Sequence, residues 1–111
     1  KHLVGIDSEE YAAKQARMNC ENNHVSAEII CGNLDSDFNG TAQLILANLT
    51  VDPLKILLPQ IGKKLEDKGI LIISGIIDDR HDEIMPYIKA DWHIIEERIA
   101  GPWHTFALEK R

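Results

Sequence analysis

Several common signatures of function are absent from this sequence of 111 residues. Its two cysteines, Cys20 and Cys31, form no CxxC motif and have no histidine at zinc-ligand spacing, so we expect reduced, buried thiols. The five histidines form no HxxH or HxxxH pair, and no serine, histidine and acid arrangement can be recognised along the chain. The sequence therefore predicts no metal site and gives no support for a hydrolase.

Phosphate-binding loops and membrane-spanning segments are absent as well. The seven glycines form neither GxGxxG nor a phosphate loop. The longest apolar run, residues 69–77, is less than half as long as a membrane-spanning helix requires. The net charge is −6 with the acids spread along the chain, which disfavours a general nucleic-acid binder because phosphate contacts need clustered cations. Together with the reduced thiols, these absences indicate a globular, cytoplasmic domain.

The sequence does contain an alternation of apolar runs and helical patterns. Strands are predicted at residues 2–6, 25–31, 42–47 and 70–74, the last two buried on both faces of a parallel sheet. Helices are predicted to begin at Asp7, Pro53 and residues 78–79, the second with a kink at Pro59 and a basic end at residues 68–69. Strands at 92–99 and 103–108 complete the chain as an antiparallel hairpin. This order predicts one α/β domain with a mostly parallel sheet and an antiparallel edge.

Polar residues follow the predicted strands at their carboxyl ends, where ligands bind in sheets of this kind. Asp7 ends the first strand, and its carboxylate is suited either to the hydroxyls of a ribose or to capping the next helix. Asn33 follows the second strand and is suited to an adenine edge or to an Asx turn. Asn48 closes the third strand, where a buried amide needs partners, so a site role and a structural role are equally open. Ser74 and Gly75 end the fourth strand.

Four acids lie beside His81 near the start of the last predicted helix, namely Asp78, Asp79, Asp82 and Glu83. Carboxylates next to a histidine are one way to bind a metal ion. Acidic side chains also stabilise the positive first turn of a helix. We favour this helix-start interpretation of the acids.

Five segments carry a family resemblance, namely Val4-Gly5-Ile6-Asp7, Ile45-Leu46-Ala47-Asn48-Leu49, Asp52-Pro53-Leu54, Leu71-Ile72-Ile73-Ser74-Gly75-Ile76 and Trp103-His104-Thr105-Phe106-Ala107-Leu108. Together they resemble the PrmA-type methyltransferases, bacterial enzymes that methylate a large-subunit ribosomal protein on lysine and N-terminal amines. The resemblance covers essentially the whole chain. It implies a Rossmann-like, three-layer sandwich that uses S-adenosyl-L-methionine.

The resemblance also implies roles for three residues. The acid matching Asp7 holds the ribose of the cofactor, the residue matching Asn33 flanks adenine, and the asparagine matching Asn48 lies beside the reacting methyl group and amine. Because methyl transfer to an amine is a direct displacement, the site needs positioning, desolvation and a deprotonated acceptor. Asn48 would orient that amine through its side-chain carbonyl rather than act as a base.

Two departures from the family pattern qualify this interpretation. The family's first strand, its glycine-rich loop and the amino-terminal domain that grips the ribosomal protein all lie upstream of the position matching Lys1. We therefore expect residues 1–111 to be a partial methyltransferase domain, inactive alone, with an unfilled gap between the strands ending at Asp7 and Asn48. Thr50-Val51 also replaces the family's apolar-small pair, which bears on acceptor specificity.

Two alternatives stay open. One is a methyltransferase of the same fold that acts on a small molecule or a nucleic acid, because strand-end motifs report the cofactor more than the acceptor. The other is a non-catalytic interaction module that kept the fold.

Overall fold

A computed structural model describes residues 3–7, 27–31 and 42–111 of the chain. The described strands are β1 (Leu3–Asp7), β2 (Ala27–Cys31), β3 (Ala42–Asn48), β4 (Leu65–Ile77), β5 (Trp92–Ala100) and β6 (Trp103–Lys110). The described helices are α1 (Val51–Ile61) and α2 (His81–Asp91), and short 3-10 turns lie at Gly62–Lys64 and Asp78–Arg80. Each helix has 11 residues, so none of the described helices is long enough to cross a membrane. The helix predicted to begin at Asp7 lies outside the described residues.

The strands form one sheet in the order β2-β1-β3-β4-β6-β5. β2, β1, β3 and β4 pair in parallel, whereas β6 pairs antiparallel with both β4 and β5. A tight turn with Gly101 at φ 60° joins β5 to β6, as a short hairpin loop requires of its glycine. The predicted parallel sheet with an antiparallel C-terminal hairpin is confirmed.

The expected gap between the first and third strands is not present. β1 pairs directly with β3, and the register places Val4 beside Ile45 and Asp7 beside Asn48. Two parallel strand edges can satisfy each other's backbone amides and carbonyls, and an unpaired inner edge would cost free energy. The prediction that these two edges lack backbone partners is therefore wrong.

One face of the sheet carries the core. Helices α1 and α2 contact each other and share a cluster of buried side chains with the strands, including Ile45, Leu71, Ile73, Phe106, Leu54, Leu58, Ile84 and Ile88. Burial of each such side chain contributes about 1.5–3 kcal/mol. The buried indole of Trp92 at the start of β5 also donates a hydrogen bond to the Leu58 carbonyl at 3.1 Å, which joins the hairpin to α1.

The opposite face of β3 is only partly covered. Ile45 is fully buried, whereas its neighbour Leu46 is 39% exposed. Both described helices lie on the Ile45 side of the sheet. Successive side chains of a strand point to opposite faces, so every second residue of β3 faces away from these helices. The strand prediction is confirmed, but its burial on both faces is wrong at Leu46.

Helix α1 differs from its prediction at both ends. It begins at Val51, so Pro53 lies in the first turn as expected, but it ends at Ile61, two residues after Pro59. The predicted helix, which runs to residues 68–69, includes Leu65, but in the structure Leu65 begins β4 with φ −109° and ψ 134° and is 1% exposed. A buried apolar residue fits the pattern of a helix or of a strand, so its spacing alone did not distinguish them. Residues 68–69 lie in β4, and the basic helix end predicted there is wrong.

Candidate functional site

The carboxyl ends of three parallel strands meet at one edge of the sheet, which we call the carboxyl rim and define by Asp7, Asn48 and Ser74. Asp7 is in register with Asn48, and Asn48 is in register with Ser74. This is the edge at which ligands bind in open parallel sheets. The backbone thus places two of the residues singled out from the sequence at adjacent positions, whereas the third, Asn33, lies outside the described residues.

The Asn48 side chain is exposed at this rim. Its carbonyl oxygen Oδ1 accepts a long hydrogen bond, 3.4 Å, from the Ser74 hydroxyl. The expectation of a buried amide is therefore wrong, because side chains alternate along the strand and Asn48 lies on the same exposed face as Leu46, whereas Ala47 is 1% exposed. An exposed carboxamide pays no desolvation penalty and remains accessible to a ligand.

Gly75 allows the rim to close tightly. It has φ +93°, and the pairing of β4 with β6 shifts register between Ile73 and Ile76, so the strand bulges at this point. A Cβ atom here would lie 2.8 Å from the Leu49 carbonyl oxygen and 3.1 Å from Asn48 Oδ1. The Leu49 amide also donates to the Ser74 carbonyl at 3.2 Å. The close approach of the two strand ends therefore depends on a residue without a side chain.

The segment after Asn48 leads directly into α1. Thr50 is exposed at the N-cap position, and its carbonyl accepts a hydrogen bond from the Leu54 amide at 3.2 Å. Val51 is 1% exposed and belongs to the core. Of the two residues that depart from the family pattern, only Thr50 thus faces solvent beside the rim.

An exposed ion network connects the starts of the two helices. Arg80 Nη2 lies 2.6 Å from both Asp52 Oδ1 and Glu83 Oε2, and Lys55 also pairs with Glu83. Hydrogen bonds from Arg80 and then Lys55 lower the pKa of Glu83 to about 2. The Arg80 guanidinium likewise lowers the pKa of Asp52. Glu83 lies in the first turn of α2, so the predicted helix-start role for this acid agrees with its position.

A second group of polar residues lies where α2, β5 and β6 meet, and we call it the histidine cluster, defined by His81, Glu97 and His104. Glu97 Oε2 is 2.9 Å from His81 Nε2 and 2.8 Å from His104 Nδ1. The imidazole rings are 4.4 Å apart between centroids and tilted by 42°. His104 Nε2 contacts Asp78, and His81 Nδ1 lies 3.3 Å from Asp82 Oδ1.

These contacts shift the pKa values of His104 and Glu97. Hydrogen bonds to Asp78 and then to Glu97 raise the pKa of His104 above its usual value, against the effect of burial. Burial raises the pKa of Glu97, but hydrogen bonds from His104 and His81 outweigh it and leave that pKa lowered. His104 is 5% exposed, so its ring is held in one arrangement by its carboxylate partners.

Sequence reasoning considered His81 only with its neighbouring acids, and it missed Glu97 and His104 because they lie on two other elements without a recognisable spacing. One signal was available. In β6, His104, Phe106 and Leu108 alternate with more exposed residues and all lie on the buried face. A histidine in such a row needs polar partners, and these had to come from neighbouring elements.

An open depression of about 1020 Å³ lies at the opposite end of the sheet. It is lined by residues near the starts of β3 and β4, including Leu44, Leu65 and Ile70, and by Lys110. The carboxyl rim lies at the other ends of the same strands, so this depression does not contain the residues that the sequence singled out.

Comparison with known proteins agrees with this geometry. The family model described as "Ribosomal protein L11 methyltransferase (PrmA)" matches residues 1–111. The ribosomal protein L11 methyltransferase of Caldanaerobacter subterraneus subsp. tengcongensis is 31% identical over 111 residues, which are 99% of this chain and 36% of that protein. That of Thermoanaerobacter pseudethanolicus is 29% identical over 112 residues, with 100% and 36% covered. The chain therefore spans about 36% of the length of these relatives.

Solved structures show the same architecture. The crystal structure of ribosomal protein L11 methylase from Lactobacillus delbrueckii subsp. bulgaricus has a TM-score of 0.80 at 25% identity, covering 100% of this chain and 58% of that one. An S-adenosylmethionine-dependent methyltransferase from Clostridium acetobutylicum has a TM-score of 0.69 at 11% identity, covering 99% and 75%. The latter likeness shows the fold alone. The predicted Rossmann-like methyltransferase fold is confirmed.

Proposed function

The chain belongs to the ribosomal protein L11 methyltransferase family, and from that premise we propose that it forms the carboxyl rim of an S-adenosyl-L-methionine-dependent enzyme that methylates lysine and N-terminal amines of a ribosomal protein. The observation that supports the proposal most is the location of Asp7 and Asn48 at the carboxyl ends of parallel strands in one sheet, the edge at which ligands bind. The activity is that of the whole protein, in the cytoplasm, with the ribosomal protein gripped through a domain outside this chain.

The rim fits a nucleoside cofactor. Asp7 and Asn48 lie at the same edge of one parallel sheet, so a single nucleoside bound along that edge can reach both positions. We assign the Asp7 carboxylate to the ribose hydroxyls and Asn33 to the edge of adenine, both from the family resemblance. When bound, the cofactor supplies a methyl group on a positively charged sulfur.

Asn48 carries the acceptor side of the proposal. Its exposed carboxamide has an oxygen that already accepts a hydrogen bond from Ser74. The same oxygen can accept an N–H from the incoming neutral amine and point the nitrogen lone pair at the methyl group. This positioning contributes to the rate without any proton transfer to Asn48. Thr50, exposed beside the rim, is the neighbouring side chain that we expect to contact the acceptor.

The test is methyl transfer by the full-length protein to its purified ribosomal protein substrate. We expect Asn48→Ala to lower kcat by about tenfold to a hundredfold through lost positioning, with nearly unchanged affinity for S-adenosylhomocysteine. Asp7→Ala should instead weaken S-adenosylhomocysteine binding about tenfold or more, because a charge-assisted hydrogen bond to the ribose is lost.

Gln43→Ala is the matched control, since Gln43 is an exposed amide at the other end of β3. Its kinetics should equal those of the unaltered protein. Equal activity of Asn48→Ala and Gln43→Ala would contradict the role of Asn48. Methylation of a nucleic acid or a small molecule in place of the ribosomal protein would replace the proposed acceptor with one of the alternatives.

A further inference from the structure

The histidine cluster brings three metal-binding atoms to one point. His81 is the first residue of α2, Glu97 lies in β5 and His104 in β6, and one ligand atom from each lies within 4.8 Å of the others. A tetrahedral zinc ion bound at about 2.0–2.2 Å would hold its ligand atoms about 3.4 Å apart. The two nitrogen-to-oxygen distances are 2.9 and 2.8 Å, so side-chain shifts of about half an ångström would admit the ion.

The contacts behind the histidines orient the two rings for metal binding. Asp78 faces Nε2 of His104, and Asp82 faces Nδ1 of His81. If each imidazole donates its N–H to that carboxylate, the lone pair of its other nitrogen points at Glu97. Metal-bound histidines in proteins almost always have such a partner, which fixes the tautomer and the ring orientation.

Charge and access also favour a cation at this point. The carboxylates of Glu97, Asp78 and Asp82 surround two imidazoles, so a divalent ion would balance an excess of negative charge. The side chain of His104 is 7% exposed, whereas those of His81 and Glu97 are 24% and 31% exposed. The buried side holds the ligands in place, and the open side provides an entry path and room for a water molecule as a fourth ligand.

The donor set selects the class of ion. Two imidazole nitrogens and one carboxylate oxygen suit zinc, cobalt and nickel, whereas calcium and magnesium prefer oxygen ligands throughout. We propose that His81, Glu97 and His104 bind a divalent transition-metal ion of the zinc class, which joins the start of α2 to the C-terminal hairpin. This site is separate from the carboxyl rim, and it holds whether or not the proposed methyl transfer is correct.

The experiment titrates the metal-free full-length protein with Zn²⁺ alone, followed by calorimetry and by the thermal unfolding midpoint. Glu97→Gln and His81→Gln should each remove one equivalent of bound zinc and the accompanying rise in the midpoint. Asp78→Asn should still bind one equivalent of zinc but with an affinity about tenfold lower, since Asp78 only orients His104. His93→Gln is the matched control, because His93 is an exposed histidine on β5, 3.9 Å from Glu109. This variant should bind zinc as the unaltered protein does.

Cobalt identifies the ligands independently. Titration with Co²⁺ should give the visible bands of a low-coordinate nitrogen and oxygen site, and these bands should vanish in Glu97→Gln. Circular dichroism establishes that the variants are folded. The proposal is overturned if Glu97→Gln and His81→Gln bind as much zinc as the unaltered protein, if no saturable binding occurs, or if the cobalt spectrum shows the charge-transfer band of a cysteine thiolate.

Discussion

The carboxyl rim and the histidine cluster lie at the same end of β4 but are built in different ways. At the rim, the backbone sets the geometry, with a bulge at Gly75 that lets β4 approach Leu49, and the polar side chain of Asn48 stays exposed. In the histidine cluster, side chains set the geometry, and the nearly buried ring of His104 has a carboxylate at each nitrogen. The rim therefore keeps its polar side chain accessible to a molecule as large as a nucleoside, whereas the cluster holds its polar groups against one another and leaves room only for an ion.

Gly75→Ala tests the claim that the rim is built by its backbone, and it should have the largest effect on stability. An alanine at φ +93° is strained, and its Cβ would meet the Leu49 carbonyl oxygen at 2.8 Å. From the backbone strain and the steric contact together, we expect a loss of about 3 kcal/mol in the free energy of unfolding. Urea unfolding followed by circular dichroism measures this loss.

Gly101→Ala is the control for that experiment. Gly101 also has positive φ, +60°, but an added Cβ would meet nothing within 4 Å. Its cost should be only the conformational part, about 1 kcal/mol. Equal costs at the two positions would mean that the contact with Leu49 is relieved at no expense and that the rim does not depend on Gly75.

His104→Phe tests the other side of the comparison. Phenylalanine fills the buried space but leaves Asp78 and Glu97 without the ring that joins them, so we expect a loss of about 2 kcal/mol. The measurement is urea unfolding in the presence of a chelator, which keeps metal binding out of the result. His93→Phe, at an exposed position of β5, should change stability by less than about 0.5 kcal/mol. If the two substitutions cost the same, the cluster does not stabilise the hairpin.

The same contrast explains what could be predicted from the sequence. Apolar runs such as 42–47 and 70–74 predicted strands correctly. Because parallel strands end at the same edge of a sheet, the backbone alone brings Asp7 and Asn48 to one edge. The end of α1 could not be predicted, because Leu65 is buried equally well by a helix or by β4. The histidine cluster was missed because it exists only once α2, β5 and β6 are packed. Direct pairing of β1 with β3 was also missed, because the order of strands in a sheet depends on tertiary packing and is not encoded in the pattern of any single strand.

The ion network between the helix starts should give the smallest effect, because it is built from side chains, as the histidine cluster is, but is exposed to solvent. The pKa of Glu83 is lowered from 4.5 to about 2, first by Arg80 and then by Lys55. A lowered carboxyl pKa stabilises the folded state at pH above the unfolded value, and that contribution is lost as pH falls through the folded value. Stability should therefore fall between pH 4.5 and about 2, and Glu83→Gln should make this fall shallower while lowering stability slightly at neutral pH. Salt at about 1 M should reduce the difference between the two proteins, since it screens exposed charges. Unfolding profiles that stay parallel across this pH window would show that Glu83 is ionised as easily in the unfolded chain, and that exposure cancels the network entirely.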